Sequence, residues 1–295
     1  MRTRTVVAAL VVLIGACTSG EQDDPSDATS IGASVTASNP AGEASPSAGA
    51  DVLEGSFDVG GHELYMRCSG TGSPTVVYLH GSIPDPSFPG HSSALAIQDL
   101  IDQDHRMCVY DRTNVGSSDS VEGPLDGESS VADLHALLEE ARIEPPYVLL
   151  PASFGGLIAD MYAATYPDEV VGMVQLDTVL PRTEEAMRRF IPAKDRIQAG
   201  DWIGTNEEID ELAVYEQVRA LERNLPAIPM TYLASNESSS DPKEEAAWRT
   251  LLREFVSRFS PGRLIYVDAP HYMEPEIPDR IAREIERVIA ATERS

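Results

Sequence analysis

The stretch that most constrains this chain runs from Tyr147 to Gly156 and reads YVLLPASFGG. The apolar run Tyr147 to Leu150 has the pattern of a buried strand and gives way to Pro151 and Ala152. Ser153 follows, then Phe154, Gly155 and Gly156, and then Leu157, Ile158, Met161 and Tyr162 at helical spacing. Strand, tight turn with a serine at its tip, and helix therefore succeed one another directly. Such a turn lifts a hydroxyl off the sheet. The helix behind it offers backbone N–H groups and a positive dipole end to an anion. The paired glycines let helix and strand approach where a Cβ would collide. Taken alone, S-x-G-G is also what a serine at a helix N-cap looks like, so the rest of the chain has to decide.

The elements around it alternate. Leu53 to Val59 and His62 to Arg67 read as a hairpin joined by Gly60-Gly61. Thr75 to Leu79 is a continuous apolar strand ending in His80-Gly81-Ser82, and Ala94 to Ile101 is a short helix. Arg106 to Tyr110 is the next strand, followed by the loop DRTNVGSSD from Asp111 to Asp119. Val131, Leu134, Leu137, Leu138 and Ala141 mark an amphipathic helix that precedes Pro145-Pro146. Beyond the serine turn, strands are expected at Val170 to Leu176, Ile228 to Leu233 and Arg263 to Val267. Charged helical stretches lie at Glu184 to Phe190 and Asp210 to Leu221, and a helix at Ala246 to Phe259. Pro275 is expected to open a terminal helix with Ile277, Ile281, Ile285, Val288 and Ile289 on one face.

The N-terminus has a different character. Arg2 and Arg4 precede an apolar run, Val6 to Ile14, too short to span a bilayer as a mature helix. It fits the core of a secretory signal. Its end, Leu13-Ile14-Gly15-Ala16-Cys17, resembles a bacterial lipoprotein signal, which implies cleavage before Cys17 and a lipid on its sulfur. From Thr18 to about Ala50 only Ile31 and Val35 are large and apolar, so this stretch cannot bury enough surface to order itself. The expected organisation is a leader over 1–16, a lipidated cysteine and tether over 17–50, and one folded domain over 51–295. The chain would then sit exported in a bacterial cell envelope, lipid-anchored to the outer face of the cytoplasmic membrane or released. Acidic residues outnumber basic ones, 48 to 22, for a formal net charge of −26. Such a surface repels nucleic-acid phosphates and anionic headgroups, leaving Cys17 as the one expected contact with a membrane.

Several motifs, in order and at matching spacing, resemble the α/β-hydrolase superfamily: HGS after one strand, YDRTNVGSSD after the next, ASFGG at the turn, and PHYM near the end. The resemblance covers about Leu53 to Ala291. It implies a mostly parallel central sheet flanked by helices, with a helical cap inserted between strands over 178–225. Trp202, Phe190, Ile191, Ile203 and Leu212 would supply the cap's apolar underside. Two departures stand out. Pro151 occupies the place of the family's first glycine before the serine, and the DRTNVGSSD loop carries Ser117 in place of one glycine of D-x-x-G-x-G-x-S. The resemblance also puts the strands bearing Cys68 and Cys108 side by side. In an oxidising compartment a disulfide between them is expected, the alternative being two buried thiols.

The resemblance assigns roles. Ser153 would be the nucleophile and His271 the base, in the superfamily's chain order. The backbone N–H groups of Ser82 and Phe154 would form the oxyanion hole, while His80 is expected to serve its loop structurally. The acid that fixes the base is less obvious, because the usual position after Ile228 to Leu233 is Ser238. Asp177, at the end of the preceding strand, is the first choice, with Glu237 second and Asp241 third. The implied chemistry is an acyl-enzyme on Ser153 with a carboxylic ester as substrate. A serine here argues against dehalogenase or epoxide-hydrolase chemistry, whose superfamily relatives carry a carboxylate at this point. Amidase, peptidase, lactonase or perhydrolase activity on the same residues is an alternative. So is a catalytically degenerate, ligand-binding lipoprotein, motivated by Pro151 and the displaced acid. No metal or cofactor is expected, since neither HExxH, a CxxC pair nor GxGxxG after a strand occurs.

Overall fold

A computed structural model describes residues 51–294 except 84, 86, 194, 195, 197–206, 237 and 238. The expected leader, Cys17 and tether lie outside the described residues. Among those described, no helix is long and apolar enough to cross a membrane.

The strands are β1 (Leu53–Asp58), β2 (Glu63–Ser69), β3 (Thr75–Leu79), β4 (Met107–Tyr110), β5 (Tyr147–Pro151), β6 (Val170–Leu176), β7 (Met230–Ser235) and β8 (Gly262–Val267). They form one sheet in the order β1-β2-β4-β3-β5-β6-β7-β8. The β1–β2 and β2–β4 pairs are antiparallel, and every later pair is parallel. β3 and β5 are buried along their whole length, which is why they read as continuous apolar runs and not as alternations. β1 alternates instead, as an edge strand with one solvated face does.

Seven helices flank this sheet among the described residues: α1 (Leu95–Ile101), α2 (Gly127–Glu140), α3 (Gly155–Thr165), α4 (Thr183–Met187), α5 (Glu211–Leu221), α6 (Pro242–Val256) and α7 (Pro278–Thr292). On one face, α2, α3, α5 and α6 share a core with β2, β3 and β5 through Leu134, Leu157, Tyr162, Val214 and Phe255. On the other, α1 and α7 pack on the sheet through Ile97, Ile101, Ile281 and Ile285. Each such isoleucine contributes about 1.5–3 kcal/mol by leaving water. α2 begins with a capping box, in which the Asp126 side chain accepts the Ser129 N–H and the Ser129 side chain accepts the Asp126 N–H.

Three details differ from the sequence expectation. The terminal helix opens at Pro278, not Pro275, because Pro278 holds the first helical position while Pro275 lies in the turn before it. Ile277 is consequently the cap residue, and Ile281, Ile285, Val288 and Ile289 carry the buried face. Within the 178–225 insertion, α5 packs on α2 and α3 and buries Val214, Tyr215 and Val218, so this part belongs to the helical layer. Phe190, Ile191 and Leu212 are half-buried, whereas Trp202 and Ile203 lie outside the described residues.

Cys68 and Cys108 stand directly opposite each other on β2 and β4 and are joined by a disulfide. The bridge closes a loop across a sequence separation of 40. On the chain-entropy account this stabilises the fold by about 4 kcal/mol. Cys68→Ala combined with Cys108→Ala should lower the urea midpoint accordingly, and an unchanged midpoint would show that the sheet alone fixes this edge.

Asp160 of α3 is buried. Its Oδ1 accepts from Gln175 Nε2 at 2.9 Å, while its Oδ2 has no partner among the described residues. Burial pushes its carboxyl well above the ordinary range. The folded chain thus retains a proton that the unfolded chain releases. The resulting stabilisation is complete below about pH 4, the unfolded value, and is lost as pH rises through the higher folded value. Asp160→Asn, which cannot ionise, should gain melting temperature relative to wild type as pH climbs from about 4 toward neutrality. A gap independent of pH would contradict this.

Candidate active site

The site is built at the C-terminal ends of the parallel strands, where the chain leaves the sheet. After β5 the backbone turns sharply and Ser153 adopts φ +47°. A non-glycine residue in this region is held there by its surroundings. The holding contacts come from β6 and the segment after it: Ser153 N–H donates to the Leu176 carbonyl at 3.1 Å, and Val179 N–H donates to the Ser153 carbonyl at 3.0 Å. α3 then starts at Gly155, and a Cβ on that residue would lie 2.3 Å from the Leu79 carbonyl oxygen. Any larger residue would push the helix off β3.

Pro151 does not disturb this turn. The pairing of β5 with β6 lapses after Leu149 and resumes as a bridge between Ala152 and Leu176. Pro151 falls in that lapse, where a missing N–H costs no ladder bond. On the other side β5 stays in register with β3 through Leu79 opposite Pro151.

His271 lies on the loop between β8 and α7, and Asp177 is the first residue past β6. His271 Nε2 is 3.0 Å from Ser153 Oγ, and its Nδ1 is 2.8 Å from Asp177 Oδ2. With Nδ1–H donating to the carboxylate, Nε2 is left as acceptor for the serine hydroxyl. Asp177 itself has φ +43°, and its Oδ1 accepts the Ser235 N–H at 3.1 Å. Both side chains are largely shielded, 15% exposed for His271 and 11% for Asp177. Such shielding favours a directional bond over hydration.

Gly81, the residue before Ser82, lies against Ser153, and Phe154 follows Ser153 directly at the start of α3. A Cβ on Gly81 would lie 3.0 Å from Ser153 Cβ and 3.7 Å from its Oγ, so the loop after β3 runs against the serine side chain. Neither the Ser82 nor the Phe154 N–H has a hydrogen-bond partner among the described residues.

His80 is fully buried. Its Nδ1–H donates to the Gly81 carbonyl and its Nε2 accepts the Arg112 N–H. Burial and the Arg112 charge hold its imidazole well below the usual range, so it stays neutral and serves its loop. The loop after β4 is pinned by Asp111. Its Oδ1 accepts from His91 N–H, and its Oδ2 accepts from Ser117 N–H. Here the left-handed residues are Asn114, at φ 68°, and Gly116, at φ 56°. Asn114, not Ser117, therefore stands where the motif has its first glycine. Asparagine tolerates that backbone region better than most residues.

Of the alternative acids, Asp241 does not join the site. Asp241 caps α6, accepting Lys243 N–H at 2.8 Å. Glu237 lies outside the described residues. Two contributors went unread in the sequence. Ser235 supplies the N–H to Asp177, and its hydroxyl donates to the Ala269 carbonyl at 2.7 Å, so it links Asp177 to the loop that carries His271. Glu207 bonds Arg112 and the Ile83 N–H. Ser235 offered only its place at a strand end, and Glu207 resembled any surface acid of the charged insertion. Among the described residues no group of His, Cys, Asp and Glu is arranged to hold a metal ion.

Residues 74–207 match a family model described as the alpha/beta hydrolase fold. Among curated proteins, the chain is 26% identical over 160 residues to the uncharacterized protein YqjL of Bacillus subtilis, covering 53% of this chain and 62% of that protein. It is 32% identical over 124 residues to a cis-3-alkyl-4-alkyloxetan-2-one decarboxylase of Shewanella oneidensis, covering 40% of this chain and 36% of that enzyme. The chain thus spans less than two thirds of the length of these relatives. Among solved structures, the haloalkane dehalogenase DbeA from Bradyrhizobium elkani superposes with a TM-score of 0.60 at 18% identity, over 82% of this chain and 99% of that one.

Proposed function

We propose that this chain, which has the α/β-hydrolase fold, is a serine hydrolase acting on carboxylic esters through an acyl-enzyme. The observation that supports this most is the contact series Ser153 Oγ to His271 Nε2 and His271 Nδ1 to Asp177 Oδ2, at 3.0 and 2.8 Å. A serine hydroxyl is a poor nucleophile at neutral pH unless a base takes its proton as it attacks. In the proposed reaction Ser153 Oγ bonds the acyl carbon while His271 Nε2 receives the proton, and Asp177 stabilises the imidazolium. The carbonyl oxygen becomes an oxyanion held by the Ser82 and Phe154 N–H groups. His271 then hands its proton to the departing alcohol. In the second half it takes a proton from water, whose oxygen attacks the acyl carbon, and returns it to Ser153 Oγ as the acyl–serine bond breaks and the acid leaves.

The likeness to a dehalogenase concerns the fold, for a serine stands at the turn. An ester is the preferred substrate class because an alcohol leaves more readily than an amine. The ligand-binding alternative is disfavoured because Pro151 leaves the turn undistorted and Asp177 meets His271. We further propose that residues 1–16 are a leader, that Cys17 carries the lipid, and that 17–50 hold the domain off the membrane surface.

The direct test is to react the exported domain with a fluorophosphonate and map the adduct by mass spectrometry. Modification of Ser153, with turnover of short 4-nitrophenyl esters, is the expected result. A folded domain that neither reacts nor hydrolyses any ester would remove the proposal.

A further inference from the structure

We infer that the buried Arg112–Glu207 pair sets the direction of the Ser82 N–H, and that Glu207 is a positioning residue for the oxyanion hole. The inference rests on the hydrolase reading above. Both side chains are almost wholly buried. Arg112 Nη2 donates to the Gly81 carbonyl at 2.8 Å and Nη1 to the His80 carbonyl at 2.5 Å. The Gly81 carbonyl and the Ser82 N–H belong to one planar, trans peptide unit, so they point in opposite directions. Fixing the carbonyl on Arg112 therefore fixes where the N–H is aimed. Beyond Ser82, the Ile83 N–H donates to Glu207 Oε1 at 3.0 Å. The peptide that carries the Ser82 N–H is thus held from both sides.

Glu207 closes the arrangement. Its Oε2 accepts from Arg112 Nε and Nη2 at 3.0 and 2.8 Å, which orients the guanidinium toward the two carbonyls. Its own carbonyl accepts from Asn114 Nδ2 at 3.1 Å. Glu207 belongs to the 178–225 insertion, whereas Arg112 and Asn114 come from the loop after β4. A single carboxylate from the insertion therefore ties that segment to the loop that would receive the oxyanion. A donor set in advance needs no reorganisation when charge develops, and that is where its value for catalysis lies.

The experiment compares wild type, Glu207→Gln and Glu222→Gln. Gln at 207 is close in shape, but whichever way its amide turns, an NH2 faces either the Ile83 N–H or the Arg112 guanidinium. Glu222 is also a buried carboxylate, paired with the exposed Arg182 and Arg258 and making no contact with His80–Ile83, so its variant reports the cost of neutralising a buried, Arg-paired carboxylate alone. The readouts are the fluorophosphonate reaction rate and the kcat and KM for 4-nitrophenyl acetate. E207Q is expected to slow both labelling and kcat by about ten- to a hundredfold, with KM within about threefold. E222Q should keep wild-type rates. Arg112→Lys keeps the charge but loses the planar fork, and should reproduce the E207Q loss; it serves alone should E207Q not fold. A folded E207Q or Arg112→Lys with wild-type kcat, or a KM effect alone, would overturn the inference while leaving the hydrolase intact. A wild-type chain that does not label would overturn both.

Discussion

Ser153→Ala is expected to lower kcat for ester hydrolysis by about a millionfold, with the fold unchanged. The hydroxyl is the only group at the site placed to attack, at 3.0 Å from His271 Nε2 among the described contacts. Alanine also suits the position sterically, since it removes one oxygen and leaves the backbone donors in place. Residual rate of about a thousandfold over water should persist, because the backbone donors and substrate binding remain. Two measurements check this: kcat/KM on 4-nitrophenyl acetate, and loss of the fluorophosphonate adduct at an unchanged melting temperature. Substantial activity in the alanine variant would move the nucleophile elsewhere.

Asp177→Asn should cost about ten-thousandfold in kcat. On the proposed mechanism the carboxylate does two things that an amide cannot. Its Oδ2 accepts the His271 Nδ1–H, which keeps Nε2 free to take the serine proton. Its charge offsets the imidazolium that forms during attack. An asparagine that turns its NH2 toward Nδ1 selects the wrong tautomer, with the proton on Nε2 facing Ser153. The Ser235 N–H favours this outcome, because it requires an oxygen on the other side of residue 177. The loss should be in kcat with KM little changed, and it should shrink at high pH as hydroxide replaces the base. A variant within tenfold of wild type would transfer the role of the acid to another residue.

Much of the sheet was legible because buried parallel strands leave a plain mark. Thr75–Leu79 and Tyr147–Pro151 are apolar at every position or nearly so, and little else in a chain of this kind is. Ser153 was legible from the glycines after it, whose reason is now spatial: Gly155 against the Leu79 carbonyl and Gly156 against Thr178. His271 was legible from its place after the last strand. Asp177 was harder, because an acid at a strand end is also an ordinary turn former, and only its contact with His271 distinguishes it. What sequence could not carry was pairing across long separations. Glu207 meets Ile83 across 124 residues, and Ser235 meets Asp177 across 58. Nothing local marks either: Glu207 stands in the acidic run Glu207-Glu208-Ile209-Asp210, and Ser235 opens a polar stretch at a strand end. The shift from Pro275 to Pro278 is of the opposite kind, a boundary error between two prolines either of which could open a helix.

The disulfide gives the sheet a mechanical boundary. A pull applied upstream of residue 51 enters at β1, the edge strand, whose Leu53 lies opposite Cys68. Peeling would proceed along β1, round the Gly60-Gly61 turn and back along β2 toward Ser69. At Cys68 the load passes into a covalent bond to Cys108, in the interior of the sheet. Every strand that leads to Ser153, Asp177 or His271 lies beyond that point in the chain. The bridge therefore stops peeling at Cys68, but Glu63 and Tyr65 of β2 bond the Asp111–Asp119 loop, so a hairpin drawn out that far would also loosen the loop that carries Arg112.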